Sequence, residues 1–167
     1  LIATQSHLAS FFVPSQRPGF QFMTRNSRFI WAPDIKALPA NAAQELIAVK
    51  SDEELWWKRL VYERETDKGR DIIVHLVRIP PTSKVDYEWA DEPQPLAATT
   101  VSVDTRGARV KIAHACRPYH YEEPQQIVES EVEATQTDGK ATIEVPPFRY
   151  HTMLVIRLEQ RETSRKP

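Results

Sequence analysis

Histidine is the side chain best suited to acid–base chemistry or metal binding near neutral pH. Of the five histidines, His75, His114 and His151 lie in or beside predicted strands, and His7 and His120 lie in irregular segments. Zinc sites need cysteines or histidines a few residues apart or at helical spacing, and no such pair occurs. We therefore expect no metal and no other cofactor. The aliphatic run around His75 favours a hydrogen-bonded core histidine, and a small enzyme using His75 or His120 with an acid is the alternative.

Paired carboxylates are the other possible source of chemistry, because a glycosidase holds two of them roughly 5–10 Å apart in a cleft. The acidic residues of this chain come mostly in runs, such as Asp52–Glu54, Glu122–Glu123 and Glu129–Glu133, and such runs are typical of solvated surfaces. Cys116 has few neighbours that would activate a thiol, and four glycines are too few for a phosphate-binding loop. No complete catalytic constellation is present, so we expect the chain alone to be non-catalytic.

Aromatic rings could bind carbohydrate, since sugars stack their C–H faces on flat rings. The eligible rings lie on one predicted strand and in two proline-bounded loops: Trp57, Tyr87, Trp89, Tyr119 and Tyr121. The alternative is that these rings cover the ends of the fold or contact a neighbouring domain, because aromatic side chains concentrate at interfaces.

Two β-rich runs organise the rest of the chain. Leu55–Arg64 and Ile72–Ile79 flank the turn Asp67-Lys68-Gly69, which predicts an antiparallel hairpin. The second run is apolar on both faces, as a central strand should be. In the first run, a period of two places Trp56 in the core and leaves Trp57 partly exposed.

A second hairpin is predicted from Thr99–Val103 to Ala108–Ala115. Four side chains at its end share the inward face: Val110, Ile112, His114 and Cys116. Residues 127–135 alternate with glutamates on one face, as in an exposed outer strand. Further strands are predicted at 142–145 and at 150–159, the last of them central or nearly so.

The predicted domain organisation is simple. Residues 40–160 form the sandwich, 1–39 an irregular, aromatic-rich arm that connects to a preceding domain, and 161–167 a disordered tail. At the start of the sandwich, a loop followed by a strand at 46–50 fits slightly better than a helix. Seven or eight short strands separated by turns predict an all-β antiparallel β-sandwich.

Composition limits the partners. The 167 residues include 22 basic and 23 acidic side chains, for a net charge of -1. This balance gives no overall field that would attract nucleic acid or an anionic membrane, and no apolar run approaches the roughly 20 residues that cross a bilayer. We therefore expect a soluble chain without nucleic-acid or membrane partners. The single cysteine fits a reducing compartment without excluding export, so localisation stays open.

Two segments carry a resemblance to a known family. Ile72–Val77 is followed by a proline pair and a tryptophan-bearing loop that ends at Pro95, and Val145–Val155 has the sequence Val-Pro-Pro-Phe-Arg-Tyr-His-Thr-Met-Leu-Val. Over residues 44–159 the chain resembles the C-terminal β-sandwich of glycoside hydrolases, in dextranase-like and related barrel enzymes.

The resemblance implies a role without catalysis. In such enzymes the catalytic carboxylates lie on a barrel that precedes the sandwich, so no catalytic residue is implied here. The expected function is a non-catalytic accessory domain that packs on a catalytic barrel of the same parent protein and stabilises it, with polysaccharide as a possible ligand. The alternative is a free-standing carbohydrate-binding module that uses the tryptophans and tyrosines named above.

Overall fold

The computed structural model describes residues 17–78, 94–117 and 128–160. These residues form three short helices: α1 (Arg17–Arg25), α2 (Ser27–Ile30) and α3 (Ala40–Leu46). They also form eleven strands: β1 (Lys36–Ala37), β2 (Ile47–Ser51), β3 (Leu55–Trp56), β4 (Val61–Thr66), β5 (Gly69–Arg78), β6 (Thr99–Asp104), β7 (Arg109–Arg117), β8 (Val128–Glu131), β9 (Ala134–Thr137), β10 (Lys140–Val145) and β11 (His151–Glu159). The predicted all-β antiparallel sandwich is confirmed.

The strands form two antiparallel sheets. In the seven-stranded sheet, here the large sheet, the order is β1-β4-β5-β11-β7-β8, and β3 also pairs with β5. In the four-stranded sheet, here the small sheet, the order is β2-β6-β10-β9. Their facing sides form the main core, with Val74 and Leu154 from the large sheet against Val101 and Ile143 from the small one. Strand β11 lies between β5 and β7, so its predicted central position is confirmed.

The first predicted hairpin is confirmed and the second is wrong. Strands β4 and β5 pair around a turn at Asp67-Lys68, from Thr66 opposite Gly69. Strand β6, by contrast, belongs to the small sheet and β7 to the large one. The turn between them therefore carries the chain from one sheet to the other. The predicted strand at 127–135 divides in the same way, into β8 and β9.

An interruption in the predicted strand 55–64 reverses the roles of its two tryptophans. After β3 the chain makes a turn in which the Leu60 amide donates to the Trp57 carbonyl oxygen at 2.7 Å, and pairing with β5 then resumes at Val61. Trp56 is 63% exposed, whereas Trp57 packs against the main core. The expected core position of Trp56 is wrong because the turn inserts extra residues between the two paired segments.

The side of strand β7 that faces the main core is the opposite of the one predicted. Ala113 and Ala115 pack there, so the inward direction predicted for Ile112 and His114 is wrong, whereas Cys116 is buried as predicted but on the other side of the large sheet. A bulge between Arg157 and Leu158 of β11 shifts the register, and Val110 therefore does pack against the main core. The alternation was regular enough to indicate a strand but not to say which sheet would cover which side.

Helix α3 forms where a loop was slightly preferred. Ala43 and Leu46, three residues apart, are both buried in the main core. The Ala43 amide donates to the Pro39 carbonyl oxygen at 2.9 Å, which starts the helix directly after the proline. Tertiary packing therefore stabilises this short helix, since seven residues would be marginal alone. The predicted strand that follows is confirmed as β2.

The outer side of the large sheet carries a second apolar cluster. Helices α1 and α2 place Phe22 and Phe29 over Ile73, Met153 and Val155, and all five side chains are buried. The sequence predicted no regular structure here, although it did indicate that the phenylalanines needed a cover. The described part of the molecule therefore has three layers, with the large sheet in the middle.

An ion cluster fixes one of these helices to the sheet. The Asp71 carboxylate is fully buried and accepts bonds from Arg157 Nε at 2.7 Å and Arg64 Nη2 at 2.6 Å. Arg64 also donates through Nη1 to the Arg28 carbonyl oxygen of α2 at 2.9 Å, and its guanidinium lies 5.1 Å from the Phe29 ring centre. Burial alone would raise the pKa of Asp71, but the bonds from Arg157 and Arg64 outweigh it and hold the pKa below its ordinary value.

Replacement of Gly69 should destabilise the fold through a backbone collision. A Cβ at this position would lie 2.0 Å from the Leu158 carbonyl oxygen, and neither strand can move without breaking the β5–β11 pairing. We expect Gly69→Ala to lower the free energy of unfolding by about 3 kcal/mol in urea denaturation. Gly19→Ala is the control, since within the described residues a Cβ added there would have no atom of another segment within 4 Å, and alanine favours a helix. Equal stability of the two variants would contradict the close approach.

Candidate functional site

An open cleft of about 210 Å³ lies between helix α2 and the outer side of the large sheet. Its walls come from four elements of the described chain: Phe29, Ile30, Leu60, Tyr62, His75 and Val77. Most of this lining is aliphatic or aromatic, and Tyr62 and His75 contribute the polar groups. This combination of apolar walls and a few polar groups is typical of a small binding site.

The backbone of strand β5 positions two walls of the cleft. His75 and Val77 alternate with residues of the main core and therefore point to the outer side of the sheet. The His75 amide donates to the Leu60 carbonyl oxygen at 2.9 Å, which holds the turn after β3 against β5. The interruption that exposes Trp56 therefore also brings Leu60 to the cleft.

At the floor of the cleft, His75 pairs with a second histidine. His75 Nδ1 lies 3.0 Å from His151 Nε2, and the two rings are nearly parallel, with centres 5.2 Å apart. The edges of two further rings meet this pair, Tyr62 on His75 and Phe22 on His151. The sequence correctly indicated a hydrogen-bonded His75. Its partner could not be found from spacing, because the two residues are 76 positions apart and meet only through the pairing of β5 with β11.

Burial keeps both histidines neutral at physiological pH. It lowers the pKa of His75 to about 4, and burial together with the charge of His75 lowers the pKa of His151 to about 4. In the neutral pair one ring donates an N–H and the other accepts it. Protonation of both rings would place two positive charges 3.0 Å apart in a largely buried site.

The environment of Cys116 disfavours nucleophilic chemistry. Burial, and then the nearby Glu129 carboxylate, raise the pKa of its thiol to about 12, so Cys116 is a poor nucleophile. Within the described residues, no group of three or more histidine, cysteine or acidic side chains converges in a way that could hold a metal ion. None of the helices in those residues is long and apolar enough to span a membrane.

The structure describes one of the five predicted carbohydrate-binding rings. Trp57 is half-buried against the main core, so it offers only part of its ring to a ligand. Tyr87, Trp89, Tyr119 and Tyr121 lie outside the described residues. The sequence missed the exposed ring next to Trp57, because only the interruption after β3 distinguishes the two tryptophans.

Two exposed tryptophans are neighbours of residues that line the cleft, one along the chain and one across a strand pair. Trp56, 63% exposed, is paired with Val77, and Trp31, 61% exposed, directly follows Ile30. Tyr150 precedes His151 and is also exposed, as is Phe20 on helix α1. We call Trp31 and Trp56, whose neighbours Ile30 and Val77 line the cleft, the aromatic patch.

Neither a protein-family model nor a curated protein matches this sequence. Among solved structures, the chain resembles a cycloisomaltooligosaccharide glucanotransferase from Paenibacillus sp. in complex with cycloisomaltoheptaose, with a TM-score of 0.59 at 14% identity. That match covers 85% of this chain and 20% of the other. Alpha-L-fucosidase isoenzyme 2 from Paenibacillus thiaminolyticus matches 70% of this chain and 16% of its own, at 19% identity and a TM-score of 0.47.

These matches bear on the fold. The chain spans a fifth or less of the two longer proteins. The likeness to the glucanotransferase supports the fold alone, a β-sandwich that matches one part of that longer protein. The finer assignment to dextranase-like enzymes remains a proposal. So do the domain boundaries after residues 39 and 160.

Acid should destabilise the protein through the histidine pair. Because the pKa of each histidine is near 6.5 when unfolded and about 4 when folded, the unfolded state binds more protons between these values. Stability is therefore unaffected above pH 6.5 and falls progressively from pH 6.5 to 4, by about 3 kcal/mol for each histidine at most.

Chemical denaturation at a series of pH values measures this loss. His151→Phe should reduce the slope between pH 6.5 and 4 by at least half, since it removes one titrating group and the like charge that faces the other. Ser102→Ala on the small sheet, which removes no titrating group, is the control and should retain the slope. An unchanged slope in His151→Phe would contradict the assignment.

Proposed function

We propose that this chain is a non-catalytic accessory β-sandwich domain of a glycoside-hydrolase-like parent protein, where it packs on a catalytic barrel and stabilises it. The observation that carries the proposal is the aromatic patch beside an open apolar cleft. Large exposed apolar patches in soluble proteins mark interaction surfaces, and tryptophan and tyrosine are enriched where two proteins or domains meet.

The two outer surfaces of the molecule differ in a way that favours one docking side. The exposed side of the small sheet is polar, with Lys50, Ser102, Thr142 and Glu144 on three neighbouring strands. The side of the large sheet that bears the cleft has the aromatic patch instead. A partner that buries apolar surface would therefore approach from the side of α1 and α2.

Charges beside the aromatic patch favour a partner surface with acidic groups. Lys58 and Arg59 follow the two tryptophans in the turn after β3, and both are exposed. Neither has an ion-pair partner within the described residues. Positive charges at the rim of an apolar patch set orientation and partner choice more than affinity.

Tryptophan substitutions distinguish a docking surface from an unused one. Trp31→Ser and Trp56→Ser remove exposed rings, so each should change the unfolding free energy of the isolated chain by less than about 0.5 kcal/mol. In the parent protein the same changes should destabilise the domain pair by roughly 2 kcal/mol each, as for a buried interface tryptophan.

Thermal and urea unfolding of both forms provide the measurement, and Thr142→Ser on the polar side is the control. Equal effects in the isolated chain and in the parent protein would overturn the proposed docking surface.

A carbohydrate-binding module is the second candidate, and the exposed ring of Trp56 is the observation that favours it. This candidate predicts saturable binding of α- or β-glucans in isothermal titration, with loss of binding in Trp56→Ala. Trp57→Ala is a poor reporter of binding, because removal of its packed ring should itself cost about 2–4 kcal/mol of stability. For the accessory domain we expect no saturable heat with either glucan, and binding that Trp56→Ala abolishes would favour the module.

A further inference from the structure

The cleft beside His75 has the size of a single ring. Its volume is about 210 Å³, and an apolar cavity of about 150 Å³ is enough to hold one benzene molecule. Sites for larger ligands usually measure about 300–1,000 Å³. The cleft therefore fits one six-membered or fused ring with a small substituent, and it is too small for a disaccharide.

The lining of the cleft also identifies the kind of ring. Phe29, Ile30, Leu60 and Val77 offer no side-chain hydrogen bonds. A sugar ring carries hydroxyl groups around its whole edge, and most of them would lose water here without a replacement partner. An aromatic ring has apolar faces that fit such walls, so the lining favours an aromatic ligand over a sugar.

Two polar groups at the cleft still have hydrogen-bonding capacity. His75 uses Nδ1 in its bond to His151, and neither its Nε2 nor the Tyr62 hydroxyl has a partner in the described part of the chain. Among those residues, the only side-chain nitrogen or oxygen that is sealed from solvent without a partner is Asn26 Oδ1. The two groups therefore reach solvent, and both residues line the cleft.

These groups select a ligand that bears a hydroxyl or N–H. A hydroxyl both donates and accepts, so it can bond to His75 Nε2 in either tautomer as well as to the Tyr62 hydroxyl. The histidine pair is neutral at physiological pH, so the cleft offers no charge to an ionised ligand. A neutral phenol or indole satisfies all of these conditions.

We infer that the cleft receives one aromatic ring carrying a hydroxyl or N–H group, and that this ring is a tyrosine or tryptophan side chain of the catalytic domain. The second half of the inference rests on the proposed function. The exposed rings of Trp31 and Trp56 adjoin residues of the cleft, so a surface that buried them would bring its own side chains to the opening.

Titration of the isolated chain with p-cresol, the side chain of tyrosine, tests the site directly. We expect saturable binding, with NMR shift changes confined to the methyl groups of Ile30, Leu60 and Val77. Toluene, which lacks the hydroxyl, should bind roughly three- to tenfold more weakly. Tyr62→Phe should reduce this difference and Val77→Trp should block both ligands, whereas Ser102→Ala on the small sheet should change neither. Equal affinities for the two probes, or shift changes elsewhere, would overturn the site.

Titration of the parent protein with p-cresol identifies the source of the ring. If a side chain of the catalytic domain fills the cleft, p-cresol should not bind to the parent protein at concentrations that saturate the isolated chain. Undiminished binding there would overturn the proposed occupant and leave a site for a free aromatic compound. Failure of p-cresol with the isolated chain would end this inference alone, since the proposed function is tested separately by the effects of Trp31→Ser and Trp56→Ser.

Discussion

The whole structure depends on a sheet that is apolar on both sides. Consecutive residues Ile72, Ile73 and Val74 of β5 are fully buried, which is possible only if both sides of the large sheet are covered. The small sheet covers one side through the main core. On the other side the cover consists chiefly of Phe22 and Phe29 from two short helices. At about 25 cal/mol per Å² of apolar area, two buried phenylalanines stabilise this layer by several kcal/mol, more than nine- and four-residue helices could supply on their own.

The buried Asp71 connects this helical cover to the sheet through Arg64. A carboxylate without a partner in this environment would be very costly, so Arg157 and Arg64 must stay in place around it. Arg64 also donates to the Arg28 carbonyl oxygen of α2, and this bond fixes the position of the adjacent Phe29 over the sheet. The cleft lies beside this fixed helix, between Phe29 and Ile30 on one side and Tyr62, His75 and Val77 of the sheet on the other.

The sequence was informative where a signal is local. Short patterns predict that β5 is apolar on both sides, that a turn lies at Asp67-Lys68 and that β11 is central. The sequence could not show that the chain crosses between sheets after Asp104, because a turn followed by a strand looks the same whether or not the two strands pair. The turn after Trp56 could not be predicted either, because it changes the side of the sheet that a residue faces without changing the composition of the segment. The pair of His75 with His151 depends on the register of two distant strands, which no local pattern encodes.

Arginines and burial set the charge state of different ionisable groups in the described residues. Two carboxyl groups have pKa values below their ordinary ones. Arg157 and Arg64 lower the pKa of Asp71, and Arg78 lowers that of Glu53. At the cleft, burial removes the charge of the histidines. The cleft therefore presents aromatic and aliphatic side chains together with neutral hydrogen-bonding groups, a lining that is suited to packing.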